Sequence, residues 1–173
     1  YKTYATPLQK IAIEKLRRTG AGVTNISAWL FKQNICYGTE EANDKTQKFI
    51  ERYNYHLYYN SIKLGKEKGN FGLFKKEKIE NSPFIKRMIN LGLRFDNLRN
   101  VTCSSIAPTG TLSLMFPDFI MSYGIEPAFG LYFWKRTRMA GKYEYYFCVP
   151  EIVRQYFKSH NYEIPIESSS IKD

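Results

Sequence analysis

Apolar positions in the first half of the chain recur at helical spacing, and those after Ile125 alternate as in strands. Leu8, Ile11, Ala12, Lys15 and Leu16 predict a helix over Pro7–Arg18, with Thr6 as N-cap and Pro7 in its first turn. Gly20 and Gly22 interrupt the pattern, and a second helix is expected from Thr24 to about Gln33. A longer one is expected from Thr39 to about Lys68, with Thr39 as N-cap, Glu40 and Glu41 in the first turn, and Gly69 closing it. Its Phe49, Tyr53, Leu57 and Leu64 form one apolar stripe. Ser82–Pro83 opens a short helix through Met88 and Ile89. Val101, Thr102, Cys103 and Ile106 suit a buried strand. Ile125–Met139 and Tyr143–Val149 read as strands, and Pro150–Glu151 starts a last helix through Phe157. Helices and strands mix without internal repeat, so the fold class is α/β.

The stretch from Leu98 to Ser113 carries the most information. It reads as a strand, an Ala107–Pro108–Thr109–Gly110–Thr111 turn, and a helix that starts at Pro108. Gly110 lets a ligand approach the backbone, and Thr109, Thr111 and Ser113 add hydroxyls. A strand, a small polar turn and the electropositive start of a helix together suit a phosphate. Taken alone, a plain connecting turn is the commoner meaning of such a pattern. It is not a P-loop, which needs a Lys after its second Gly.

Several segments together resemble ribonucleotide reductase. They are Arg99–Asn100–Val101–Thr102, then Ile106 to Ser113, then Ser122–Tyr123–Gly124–Ile125–Glu126–Pro127. In that family an Arg-Asn-x-Thr strand leads into an Ala-Pro-Thr-Gly-Thr turn, followed by Ser-Gly-Ile-Glu-Pro. Arg17–Val23, Glu40–Glu41–Ala42 and Lys66–Phe71 with Leu73–Phe74 are similar to further family elements, in the family's order. The turn is most like that of the adenosylcobalamin-dependent (class II) large subunits, since class I subunits often carry a Pro-Ser-Glu-Thr-like turn here. Tyr123 is an added residue before Gly124, and Met115–Phe119 is more aromatic than the family's loop.

The resemblance implies late strands and helices of a ten-stranded α/β barrel, with residues 1–173 as a single fragment of it. It implies reduction of ribonucleotide to deoxyribonucleotide, for DNA replication, through a cysteine thiyl radical. Adenosylcobalamin is the implied cofactor. Ala107, Pro108, Thr109, Gly110, Thr111 and Ser113 are the implied phosphate-binding residues. The implied partners are a ribonucleotide substrate and the remainder of the reductase chain, with a thioredoxin-type reductant and a homodimer as candidates. The family's Asn-x-Cys-x-Glu element is absent: the nearest string, Asn34–Ile35–Cys36–Tyr37–Gly38, has Gly in place of Glu. The radical chemistry is therefore expected upstream of Tyr1. A class I large-subunit fragment, or a non-catalytic remnant or split-gene subunit, are the alternatives.

Composition narrows this further. At 173 residues with 43% hydrophobic and 16% aromatic residues, the chain can pack a core. Cys36, Cys103 and Cys148 form no CxxC pair, which suits a reducing cytoplasm. Cys36 reads as structural, and Cys103 as a buried strand residue. No run is long enough for a membrane span and no secretory signal is visible. The 26 basic and 16 acidic residues give a net charge of +10, but they are dispersed, and the Lys63–Lys78 run alternates with Glu67 and Glu77. A solvated face explains that run better than a nucleic-acid groove, so nucleic acid is the weakest partner reading. His56 and His160 stand alone, without metal-ligand spacing. Glu126 reads as the hydrogen-bonding anchor of a tight turn in preference to a substrate carboxylate. Tyr143, Tyr145, Tyr146 and Phe147 read as core packing rather than a radical path.

Overall fold

A computed structural model describes residues 5–113, 115, 121–139 and 141–164, the side chains of Thr111, Ser113 and residues 137–139 excepted. The elements in order are α1 (Pro7–Leu16), α2 (Ile26–Phe31), α3 (Glu40–Lys68), α4 (Lys76–Glu80), α5 (Pro83–Asn90), α6 (Gly110–Ser113), β1 (Phe133–Met139), β2 (Lys142–Cys148) and α7 (Glu151–Ser159). They fall into two compact units, residues 1–22 with 43–106, and residues 23–42 with 107–173.

In the first unit the local signals behave as their chemistry requires. Thr6 Oγ1 accepts from the Gln9 amide at 3.2 Å ahead of Pro7, satisfying one of the donors that a helix start leaves unpaired. Gly69 takes φ +81° just past α3, where a side chain would be strained. One aromatic and aliphatic core gathers Tyr58, Phe71, Ile85, Met88, Leu93, Phe95, Leu98 and Cys103. The rings of Phe84 and Phe95 lie 5.1 and 6.1 Å from that of Tyr58.

The buried face of α3 corrects the expected stripe. Phe49 and Leu64 are exposed, whereas Tyr58, Ser61 and Gly65 are buried. A Cβ on Gly65 would lie 2.8 Å from the Leu98 amide nitrogen, so the helix meets residues 98–100 through its small side chains. Ser61 O accepts from the Arg99 amide (3.0 Å), Ser61 Oγ accepts from the Asn100 amide (3.1 Å), and Asn100 Nδ2 donates to Arg17 O (2.8 Å). Close approach and backbone capture selected this face over the larger apolar one. The helix α1 forms as expected but buries none of its residues, and its Leu8 and Ile11 are exposed.

The strand expected at Val101 is also corrected. Residues 98–105 lie beside residues 16–21 without a regular ladder. The Val101, Thr19, Ala21 and Ser105 amides donate to Leu16 O, Thr102 O, Cys103 O and Ala21 O, and Ala21 and Ser104 make one isolated parallel bridge. A Cβ on Gly20 would meet Ser105 Oγ at 2.5 Å, and one on Gly22 would meet Ser105 O at 2.7 Å. These glycines let the neighbouring segment approach closely, and among the described residues the pairing stays a single isolated bridge.

In the second unit β1 and β2 form an antiparallel hairpin with Phe133 opposite Cys148 and Met139 opposite Lys142. The alternation expected over Ile125–Met139 is strand only from Phe133 onward. Tyr143, Tyr145 and Tyr146 are exposed, which corrects the core reading of that cluster. Phe147 packs with Met121, Val149, Ile152 and Val153, whereas no third strand or helix is described over the tyrosines. A second cluster joins Ile26, Leu30, Ile35 and Ala42. Thr39 Oγ1 accepts from the Ala42 amide at 3.2 Å at the start of α3. Cys36 is exposed, and its neighbour Ile35 takes the buried position of that turn. Cys103 is buried as expected. Among the described residues no helix is long and apolar enough to cross a membrane.

Candidate functional site

The turn from Ala107 to Ser113 lies in the second unit. Ala107 and Pro108 are exposed, and Thr109 and Gly110 are half-buried. The helix that follows is one turn long and starts at Gly110, not at Pro108. Thr109 is the cause, because its φ of +51° is left-handed and breaks the helical path before it begins. Such a conformation costs about 1–3 kcal/mol and persists only where surrounding contacts over-determine it.

Such contacts surround Thr109. Thr109 Oγ1 donates to Tyr123 O at 2.7 Å and lies 3.3 Å from Thr24 Oγ1. The Thr24 hydroxyl and the Asn25 amide donate to the same carbonyl. Asn25, itself left-handed at φ +59°, accepts on Oδ1 from the Met121 and Ser122 amides at 3.1 and 3.3 Å. The Ile26 amide donates to Gly124 O at 3.1 Å. Ser27 Oγ and Tyr37 OH donate to the carbonyls of Glu126 and Ile125 at 2.5 and 2.6 Å. The chain entering α2 is thus stitched, residue by residue, onto residues 121–126.

Glu126 Oε2 accepts from the Gly124 amide at 2.6 Å, the turn anchor expected of it. Charge-assisted bonds of this kind to backbone amides are among the stronger ones in proteins. A Cβ on Gly124 would sit 2.9 Å from Ala107 O, so this glycine lets residues 124 and 107 pass closely. The Thr109 hydroxyl is spent on Tyr123 O, which leaves the turn's backbone as its main offering to an anion. The side chains of Thr111 and Ser113, which complete the expected set, lie outside those described.

Gly110 differs from the other glycines. Each of the other ten has either a positive φ or a heavy atom within 3.1 Å of where a Cβ would be. Gly110 has neither: among the described residues nothing lies within 4 Å of an added Cβ.

Other candidates do not converge. His56 is exposed on α3. His160 stacks on Tyr156 at 4.1 Å, its Nδ1 2.9 Å from Tyr156 O. Among the described residues no three His, Cys, Asp or Glu side chains gather as a metal site. In the first unit Cys103 and Tyr58 are buried, and desolvation pushes both pKa values up. A surface cavity of about 290 Å³ there is lined by Lys76, Glu80, Arg94, Phe95 and Asp96 among others. The Lys76 ammonium bonds Asp96 at 2.5 Å and holds its carboxyl below the usual range, which spends the cavity's charges on each other.

The sequence profile of the ribonucleotide reductase barrel domain matches residues 1–171. The chain belongs to that family. A ribonucleoside-diphosphate reductase subunit alpha from Enterobacteria phage T4 is 46% identical over 69 residues, 40% of this chain and 9% of that protein. The ribonucleoside-diphosphate reductase 1 subunit alpha of Salmonella typhimurium is 28% identical over 149 residues, 75% of this chain and 19% of its own. A vitamin B12-dependent ribonucleoside-diphosphate reductase of Mycobacterium tuberculosis is 30% identical over 130 residues, 75% of this chain and 16% of its own. The chain thus spans less than a fifth of the length of these relatives. Within the reductase barrel its described part is helix-rich with a two-stranded sheet, so the expected α/β class is met by the family and only partly by these elements.

Proposed function

We propose that this chain carries the substrate-phosphate-binding turn of a ribonucleotide reductase, with the thiyl-radical chemistry performed by cysteines elsewhere in the protein. Ala107, Pro108, Thr109, Gly110, Thr111 and Ser113 form the turn. The observation that carries the reading is the held turn: Thr109 takes φ +51° with its hydroxyl on Tyr123 O, and beside it an added Cβ on Gly110 would meet nothing within 4 Å among the described residues. A turn so held, open beside a glycine, suits an anion drawn close to the main chain. Anchoring of the turn through Thr109 and Tyr123 gives the pre-organisation that such a site needs.

The work of this chain's residues is to bind and to orient. Holding the phosphate end fixes where the ribose lies relative to the reacting groups, which converts an encounter into a positioned reaction. The cavity of about 290 Å³ in the first unit is too small for a corrinoid. Adenosylcobalamin as the radical source rests on the Ala-Pro-Thr-Gly-Thr turn and on likeness to the B12-dependent relative. Likeness to the proteins named subunit alpha supports the second reading, a class I chain served by a separate radical-generating subunit. Turnover of the complete protein with adenosylcobalamin and no second subunit separates them. A thioredoxin-type reductant and a second copy of the chain are the further partners that this reading brings.

The test of the turn is Gly110→Val in the complete reductase. An added Cβ meets nothing within 4 Å among the described residues outside its own turn, and the fold is expected to survive, as an unchanged urea midpoint of unfolding checks. Loss of a charge-assisted bond of about 1.5–3 kcal/mol raises KM for the ribonucleotide about 10- to 100-fold. An unchanged KM removes the phosphate role.

A further inference from the structure

We infer that Thr24 is a positioning residue for the turn: with the Tyr123 carbonyl it holds Thr109 in its left-handed conformation, and so sets the Thr109–Gly110 backbone for the phosphate. The inference rests on the phosphate reading above and goes beyond it by naming what holds the site in shape.

Five non-glycine residues with positive φ are found among the described residues: Arg17, Asn25, Asn34, Thr109 and Asn161. Asparagine tolerates this region through its short polar side chain, and Thr109 is the β-branched exception. A threonine does not stay there on its own preferences, so its partners must hold it. The Thr109 hydroxyl donates to Tyr123 O at 2.7 Å, and the Thr24 hydroxyl donates to the same oxygen. The two hydroxyl oxygens are 3.3 Å apart. The carbonyl is itself held in place, since the Asn25 amide donates to it at 3.2 Å and the next residue, Gly124, is bonded through both its amide and its carbonyl. A hydroxyl has one proton, and that of Thr109 is used inward. Its role is thus conformational, and Thr24 contributes through it without touching the anion.

The experiment is steady-state kinetics of the complete reductase on its ribonucleotide substrate, with Thr24→Val, Thr24→Ser and Gly110→Val, and with Thr24→Val repeated in a Thr109→Gly background. Thr24→Val is expected to raise KM about fivefold and leave kcat within about twofold, the scale of one lost neutral hydrogen bond. Thr24→Ser restores the hydroxyl and the KM. With glycine at position 109 the left-handed conformation costs nothing, so Thr24→Val adds no further rise. A rise that persists in that background makes Thr24 a direct contact and overturns the inference. An unchanged KM in Thr24→Val beside a raised one in Gly110→Val overturns it while sparing the phosphate reading. An unchanged KM in Gly110→Val removes both. Hydrogen exchange gives a readout independent of turnover: the Thr109 and Gly110 amides exchange faster in Thr24→Val, and unchanged rates again overturn the inference.

Discussion

The two units are held by different physics. The first closes around one apolar core, in which Phe95, Met88 and Leu98 are each 1% exposed. The second has smaller apolar clusters, and its residues 121–126 are held by side chains that bond to main-chain groups: Thr24, Asn25, Ser27, Tyr37, Thr109 and Glu126. Apolar burial is strong and non-directional. A hydrogen bond contributes less net stability, but it specifies where an atom lies. A unit whose turn is held in a locally disfavoured conformation benefits from the second kind. A unit that carries the long helix benefits from the first.

The contrast is broken most directly in the apolar core. Phe95→Ala is expected to cost about 3–5 kcal/mol, read as a lowered urea midpoint of unfolding. A loss below about 1 kcal/mol would show that the first unit does not depend on this core. Asn25→Ala comes next, at about 2 kcal/mol, because two amides lose their acceptor and alanine is strained at a left-handed φ. Its signature is local: the Met121 and Ser122 amides exchange faster, while amides around Phe95 keep their protection. Uniform loss of protection would mean that the polar stitching is not a separate device.

The smallest effect sharpens the comparison through pH. Burial pushes the Cys103 thiol above its ordinary pKa of 9.0 and likewise raises Tyr58. Each group favours the folded state fully below its ordinary pKa, and that contribution is lost as pH rises through the folded value. Stability therefore falls as pH climbs above about 9, and Cys103→Ala flattens the first part of that fall. Alkylation of the native protein at pH 8 checks the same burial. Exposed Cys36 reacts with iodoacetamide while Cys103 stays protected, and equal rates would contradict the core.

Much of the outline was legible from short range. Thr6–Pro7, Thr39 and Ser82–Pro83 each mark a helix start, and Gly69 marks an end. Lys142–Cys148 and Glu151–Ser159 also follow their patterns closely. Glu126 was readable as an anchor because the carboxylate lies two residues from the amide it accepts from. The misreadings share a cause. Phe49 and Leu64 promised a core face by size alone, but Ser61 and Gly65 took it because a backbone had to fit against them. Helix α4 carries no such signal, because Lys76–Glu80 has no buried residue and hence no apolar period. Tyr143, Tyr145 and Tyr146 suggested burial, yet a two-stranded hairpin leaves them exposed. Pro108 promised a helix start that Thr109 postponed.

By itself the sequence determined the family, the helices other than α4 and the place of the turn, because caps, periodicity and motif residues act within a few positions of one another. Only the tertiary structure decided the shape of the turn. The left-handed Thr109 depends on a hydroxyl 85 residues away and a carbonyl 14 residues away, and no local preference of threonine leads there. A conformation disfavoured locally exists only where distant partners stabilise it, and those partners become neighbours only when the chain has folded.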